Sequence, residues 1–158
     1  MEAAPPISVI ALFFDDIRIE VTGKNIFVGQ YIDQVLLAPD APPLDRLWVA
    51  FFIRLPLGYS PHSMAVKIDI PGQPPINQMF SSPPTTAHAE APFDYASVQA
   101  IVQLRFPPLR PNDVVRAWIE VDGQEFPGGY LRVGEISQQT VTHMGASRPF
   151  GGPGPAPT

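Results

Sequence analysis

Alternation of apolar and polar residues with a period of two is the dominant pattern in this chain, and it predicts β-strands with one buried face. The most regular example is residues 98–106, where Val98, Val102 and Leu104 fall on one face and glutamines on the other. Four other stretches alternate in the same way, and we interpret each as a strand: residues 17–21, 66–70, 114–121 and 130–135.

Two of these strands are predicted to form a hairpin. Asp122-Gly123 follows directly after residues 114–121. This dipeptide suits a two-residue type I′ turn, because both central positions of that turn need a positive φ. Pro127-Gly128-Gly129 then predicts that the hairpin is longer than the minimum, or bulged.

Two segments, residues 7–14 and 47–55, are apolar on both faces. The β-branched and aromatic content of residues 47–55 favours a central strand over a short helix. Only one face of each strand can point into a sandwich core, so the opposite face forms an apolar patch of the kind that monomers rarely leave bare. Either the proline-rich residues 71–92 or a second protein chain covers it. The candidate interaction surface comprises Leu12, Phe14, Trp48 and Phe52.

Together these patterns predict an all-β protein, an antiparallel two-sheet sandwich of about seven or eight strands. Proline makes up 21 of the 158 residues, which argues against long helices. We expect a single domain over residues 1–144, with a long irregular proline-rich crossover at residues 71–96. Residues 145–158 consist almost wholly of small residues and proline, and are expected to form a flexible tail.

Charge and composition narrow the classes of partner. The net charge is −5 and the ten basic residues are scattered, which argues against a nucleic-acid groove or an anionic membrane surface. The absence of cysteine excludes disulfides and a thiolate nucleophile. There is no apolar run near 20 residues and no basic leader, so a cytoplasmic location is expected.

The N-terminal part carries a recognisable order of residues. An apolar strand leads to Asp15-Asp16, then Arg18 and Glu20, then Gly23-Lys24, and finally Gly29 and Tyr31. This order resembles the opening of a family of small bacterial proteins of unknown function, and residues 116–133 resemble that family's C-terminal half. The resemblance implies an immunoglobulin-like or C2-like sandwich, and it implies no particular activity.

The same segment holds the candidate polar site, formed by Asp15, Asp16, Arg18, Glu20 and Lys24. Two interpretations remain open. Carboxylates near strand ends can supply the oxygen ligands that Ca²⁺ requires. Alternatively, the two basic residues neutralise the acids as solvated ion pairs.

No stronger chemical motif is present. His62, His88 and His143 lie far apart, and no G-x-S-x-G nucleophile elbow occurs. The sequence therefore predicts a non-catalytic protein-interaction or assembly module without a cofactor, which self-associates or binds an unknown bacterial partner. The alternatives are a C2-like domain binding Ca²⁺ or another ligand through Asp15, Asp16 and Glu20, and a small hydrolase.

Overall fold

The computed structural model describes residues 6–38, 44–81, 95–105 and 108–136. Over these residues the protein is all-β, as predicted, and contains no helix. The described strands are β1 (Ser8–Ile19), β2 (Asn25–Tyr31), β3 (Gln34–Leu37), β4 (Arg46–Pro56), β5 (Met64–Asp69), β6 (Ile76–Phe80), β7 (Tyr95–Arg105), β8 (Val114–Val121) and β9 (Gln124–Glu135).

The strands form two sheets. One has the order β2-β1-β4-β7, and the other has the order β3-β9-β8-β5-β6. The predicted central position of residues 47–55 is confirmed, because β4 lies between β1 and β7. Between the sheets lies a single core whose largest fully buried side chains include Phe13, Leu47, Phe51, Ile68, Ile119 and Leu131.

Nine strands are described instead of seven or eight. The strands predicted over residues 7–14 and 17–21 form one strand, β1, and two other differences raise the count. Residues 25–37 contain two strands separated by residues 32–33, and these strands, β2 and β3, join different sheets. In addition, β6 and the start of β7 lie within residues 71–96, so the described part of that segment is not wholly irregular as predicted. Residues 82–94 of the crossover and the predicted tail, residues 145–158, lie outside the described residues.

One strand pair departs from the predicted antiparallel arrangement. β3 pairs with β9 in parallel, with Val35 opposite Val133. The chain crosses from one sheet to the other after β2, so β3 reaches the second sheet beside the last strand and runs in the same direction. All the other described pairs are antiparallel.

The β8–β9 hairpin confirms the turn prediction. Asp122 and Gly123 both have positive φ, at 48° and 80°. The expected irregularity is also present, because the register between β8 and β9 shifts between Ala117 and Trp118. This shift lies opposite the glycine pair of β9, where that strand approaches the other sheet.

The two sheets approach each other closely at Gly128. A Cβ atom added there would lie 3.0 Å from the Cβ of Ala11 in β1 and 3.2 Å from the carbonyl oxygen of Ala117 in β8. A Cβ atom added to the neighbouring Gly129 would lie 3.1 Å from the carbonyl oxygen of Ala11. Glycine on β9 and alanine on β1 therefore set the separation of the sheets at this point.

We expect Gly128→Ala to destabilise the fold. Overpacking of a closed site costs about 1–3 kcal/mol, which exceeds the roughly 0.4–1 kcal/mol that a Gly→Ala change gains by restricting the unfolded chain. Urea unfolding measures the difference. In an Ala11→Gly background the same substitution should cost less, with a coupling of at least about 0.5 kcal/mol. A stabilised Gly128→Ala protein would contradict this account of the contact.

Candidate functional site

The hairpin formed by the end of β1 and all of β2 leaves the plane of its sheet. β1 pairs with β4 from Ser8 to Phe14 and with β2 from Phe13 to Ile19, so only the part of the hairpin beyond Phe14 lacks β4 as a neighbour. Phe14 and Ile17 belong to the same apolar cluster although strict alternation would place them on opposite faces. Residues 15–31 therefore form an arm, which bends where Asp15 and Gly29 face each other.

The arm folds back over the outer face of the four-stranded sheet. The ring of Phe27 lies 4.7 Å from that of Phe14 and 5.9 Å from that of Phe52, measured between centroids. At the far end, the Asn25 side-chain amide donates a hydrogen bond of 2.8 Å to Oε1 of Gln99 in β7. The arm thus reaches from β1 across β4 to β7.

This covering determines how much of the predicted interaction surface meets solvent. Phe14 is buried, at 2% exposure, whereas Leu12, Trp48 and Phe52 are half-buried at the margins of the arm. The cover is a third arrangement, distinct from the two considered from the sequence. The alternation of the sequence did not indicate this cover. The bend brings Phe14 and Ile17 into the same apolar cluster, although a regular strand would place them on opposite faces.

The arm also carries exposed apolar residues that sequence reasoning did not select as a surface. They lie on the face of the arm that points away from the sheet, at the tip of the arm, and at the residue that follows it. The only signal available was that residues 26–28 are apolar on both faces. The exposed side chains are Ile19, Val21, Ile26, Val28 and Ile32.

The bend of the arm is held by a carboxylate–phenol contact. The Tyr31 hydroxyl donates to Asp15, and burial, followed by this hydrogen bond and the carboxylate charge, raises the pKa of Tyr31. Gly29 has a φ of 65°, and a side chain at this position would overlap the Asp15 carboxylate. These contacts give a structural reason for the presence of Asp15, Gly29 and Tyr31 at these positions.

The other members of the predicted polar site have separate partners. Arg18 Nε donates to Asp16 Oδ2 at 3.0 Å, and the Thr22 hydroxyl donates to Glu20 at 3.1 Å. Lys24 contributes its backbone carbonyl to the turn, accepting from the Glu20 amide at 2.8 Å. Within the described ranges no three side chains of the carboxylate or histidine type come together as a metal site would require.

A better-connected carboxylate, Asp122, lies in the β8–β9 turn and was selected from the sequence only as a turn residue. Its Oδ2 accepts from the Tyr59 hydroxyl at 2.6 Å, and its Oδ1 accepts from the amides of His62 and Ser63 at 2.7 and 2.9 Å. The hydrogen bond from Tyr59 is the largest cause that lowers the pKa of Asp122. The network ties the β4–β5 loop to the hairpin.

Asp122 should make stability depend on acid pH. Because its folded-state pKa lies below the ordinary value of 3.8, its contribution is present above that pH and is lost as the pH falls through the folded pKa. Asp122→Asn should therefore reduce the loss of stability between neutral pH and about pH 2.5, measured by urea unfolding. Asp45→Asn, which alters an exposed carboxylate outside the network, is the control. An unchanged acid-induced loss in Asp122→Asn would contradict the assignment.

The polar and charged side chains of the described residues lie at the surface. No described polar or charged residue is buried, so the charged side chains named above remain in contact with solvent. Across the described ranges no helix is long and apolar enough to cross a membrane. No protein-family model matches the chain, and a search of the curated proteins finds no match.

Proposed function

We propose that this protein is a non-catalytic β-sandwich module that works through protein contacts, and that it self-associates along the free edge of β7. The observation that carries the proposal is the position and length of β7. It is the last strand of its sheet, has eleven residues and pairs with β4 on one side. No other described strand pairs with its outer edge.

The other three outer strands are shorter. β2 has seven residues, β3 has four and β6 has five. Natural sheets protect their edges by short strands, charges, prolines or bulges, since an unpaired edge is a template for another strand. β7 contains no proline, and its single charged residue is Arg105 at its end. Its length and composition thus favour strand addition.

A groove beside β7 supports the same interpretation. It has a volume of about 180 Å³ and lies between β7 and β6, the outer strand of the other sheet. Strand addition draws affinity from backbone hydrogen bonds and specificity from pockets for alternate side chains. The groove offers such a pocket through Val66, Gln78 and Phe80 on one side and residues 99–102 on the other.

The sequence of β7 is compatible with pairing to a second copy of itself. In an antiparallel pair centred on Ala100, Val98 of each copy would face Val102 of the other, and Tyr95 would face Arg105. Apolar and aromatic cross-strand pairs of this kind stabilise sheets. Such a two-fold interface would join two four-stranded sheets into one of eight strands.

We also propose that the sandwich is of the immunoglobulin-like type. The order β1-β4-β7 facing β9-β8-β5-β6 agrees with the arrangement in which strands A, B and E form one sheet and G, F and C form the other. In this correspondence β7 is strand E, and the arm is an addition to strand A. A cytoplasmic location and the bacterial family resemblance remain predictions from the sequence.

The β7 interface can be tested with like charges. Ser97 and Gln103 are exposed, and they would face each other across the two-fold interface. Ser97→Glu/Gln103→Glu should weaken self-association at least tenfold, or about 1.4 kcal/mol, because like charges directly opposite destabilise strand pairs. Sedimentation velocity over a concentration series measures the change.

Two further proteins separate an interface effect from misfolding. Ser97→Lys/Gln103→Lys should also be monomeric alone, and mixing it with the glutamate variant should restore a heterodimer. Gln30→Glu/Gln124→Glu adds the same charge at exposed positions away from β7, and it should associate like the unaltered protein. An unaltered protein that stays monomeric well above micromolar concentrations would overturn the proposal.

A further inference from the structure

The outer face of the five-stranded sheet contains a second groove, on the side of the molecule away from the arm. The groove has a volume of about 390 Å³ and opens between β5, β6 and β8. Unlike the groove beside β7, it has charged side chains in its lining, together with an indole ring and an amide. Its lining residues include Lys67, Asp69, Asn77, Trp118 and Glu125.

The strand register explains why these residues meet. Asn77 on β6 lies opposite Lys67 on β5, and Lys67 lies opposite Trp118 on β8. The three side chains therefore form one row across the sheet. In the next row Arg116 lies opposite Tyr130, a second aromatic residue, which is 48% exposed.

The charges of this surface are paired with one another. Lys67 Nζ lies 2.6 Å from Glu120 Oε2 and 2.7 Å from Glu125 Oε1. In the row that contains Arg116 and Tyr130, Arg116 Nη1 lies 3.8 Å from Asp69 Oδ2. These contacts join β5, β8 and β9 and hold the polar groups in place around the indole.

We propose that this groove binds an uncharged, hydroxyl-rich ligand, namely a pyranose unit of a glycan. A pyranose ring has an apolar face that can stack on the Trp118 indole and hydroxyls at its rim. The carboxylates of Asp69 and Glu125 are 45% and 56% exposed in their side chains and can accept further hydrogen bonds. The Asn77 amide can both donate and accept.

Charged ligands fit the groove less well. An anion would have to compete with the carboxylates that already occupy Lys67 and Arg116. A cation would meet the Lys67 ammonium in the middle of the row. A single indole also falls short of the aromatic cage that quaternary ammonium ligands favour.

The size and shape of the groove agree with a short segment of a glycan. Ligand pockets in proteins enclose about 300–1,000 Å³, and this groove lies near the lower limit. It is open to solvent, so a sugar ring can enter it from the surface. Because this sheet is not the one that contains β7, the inference is independent of the proposed self-association.

Fluorescence and calorimetry test this inference together. The protein has two tryptophans, so Trp48→Phe leaves Trp118 as the only indole. Titration of this variant with linear hexasaccharides of glucose, N-acetylglucosamine and xylose should give a saturable change in Trp118 emission with at least one of them. Calorimetry with the same sugar should show at least a tenfold weaker affinity for Trp118→Ala.

Two variants complete the design. Asn77→Ala alters an exposed side chain, so it should keep the fold while weakening binding several-fold. Met79→Ala alters an exposed residue of β6 outside the groove and should bind unchanged. The inference is overturned if none of the sugars binds, if binding survives both Trp118→Ala and Asn77→Ala, or if choline binds in place of the sugars.

Discussion

Both faces of β4 have to be removed from water, and this requirement organises the molecule. Its inner side chains, including Val49, Phe51 and Ile53, enter the core between the sheets. Its outer side chains, Trp48, Ala50 and Phe52, need a different cover, because a second sheet is available on one side only. Burial of apolar surface at about 25 cal/mol per Å² makes such a cover favourable. The arm provides it from within the same chain.

The arm reaches this position because β1 changes role along its length. Its first half is a sheet strand beside β4, and its second half belongs to a hairpin that bends over the sheet. Asp15, Gly29 and Tyr31 form the bend, through a carboxylate–phenol contact that only glycine leaves room for. Among the acidic residues of this segment Asp15 therefore serves the shape of the arm, while Asp16 and Glu20 accept hydrogen bonds from Arg18 and Thr22.

The two outer faces differ in chemistry. On the four-stranded sheet the arm leaves apolar margins and a long free strand edge, which suit contact with another protein chain. On the five-stranded sheet Trp118 stands among paired charges and an amide, which suits a polar ligand with an apolar face. The Asp122 network lies apart from both, where it fastens a loop to a turn.

Short-range patterns determined most of the strand positions, the Asp122-Gly123 turn, the two apolar faces of β4 and its central place in a sheet. Each depends on a period of two or on the φ preference of adjacent residues. Only the tertiary structure decided the bend at Asp15, the parallel pairing of β3 with β9, and the row that joins Asn77, Lys67 and Trp118. Residues distant in sequence meet there through strand order and register, because backbone hydrogen bonding between strands fixes which side chains become neighbours, and no local periodicity encodes that choice.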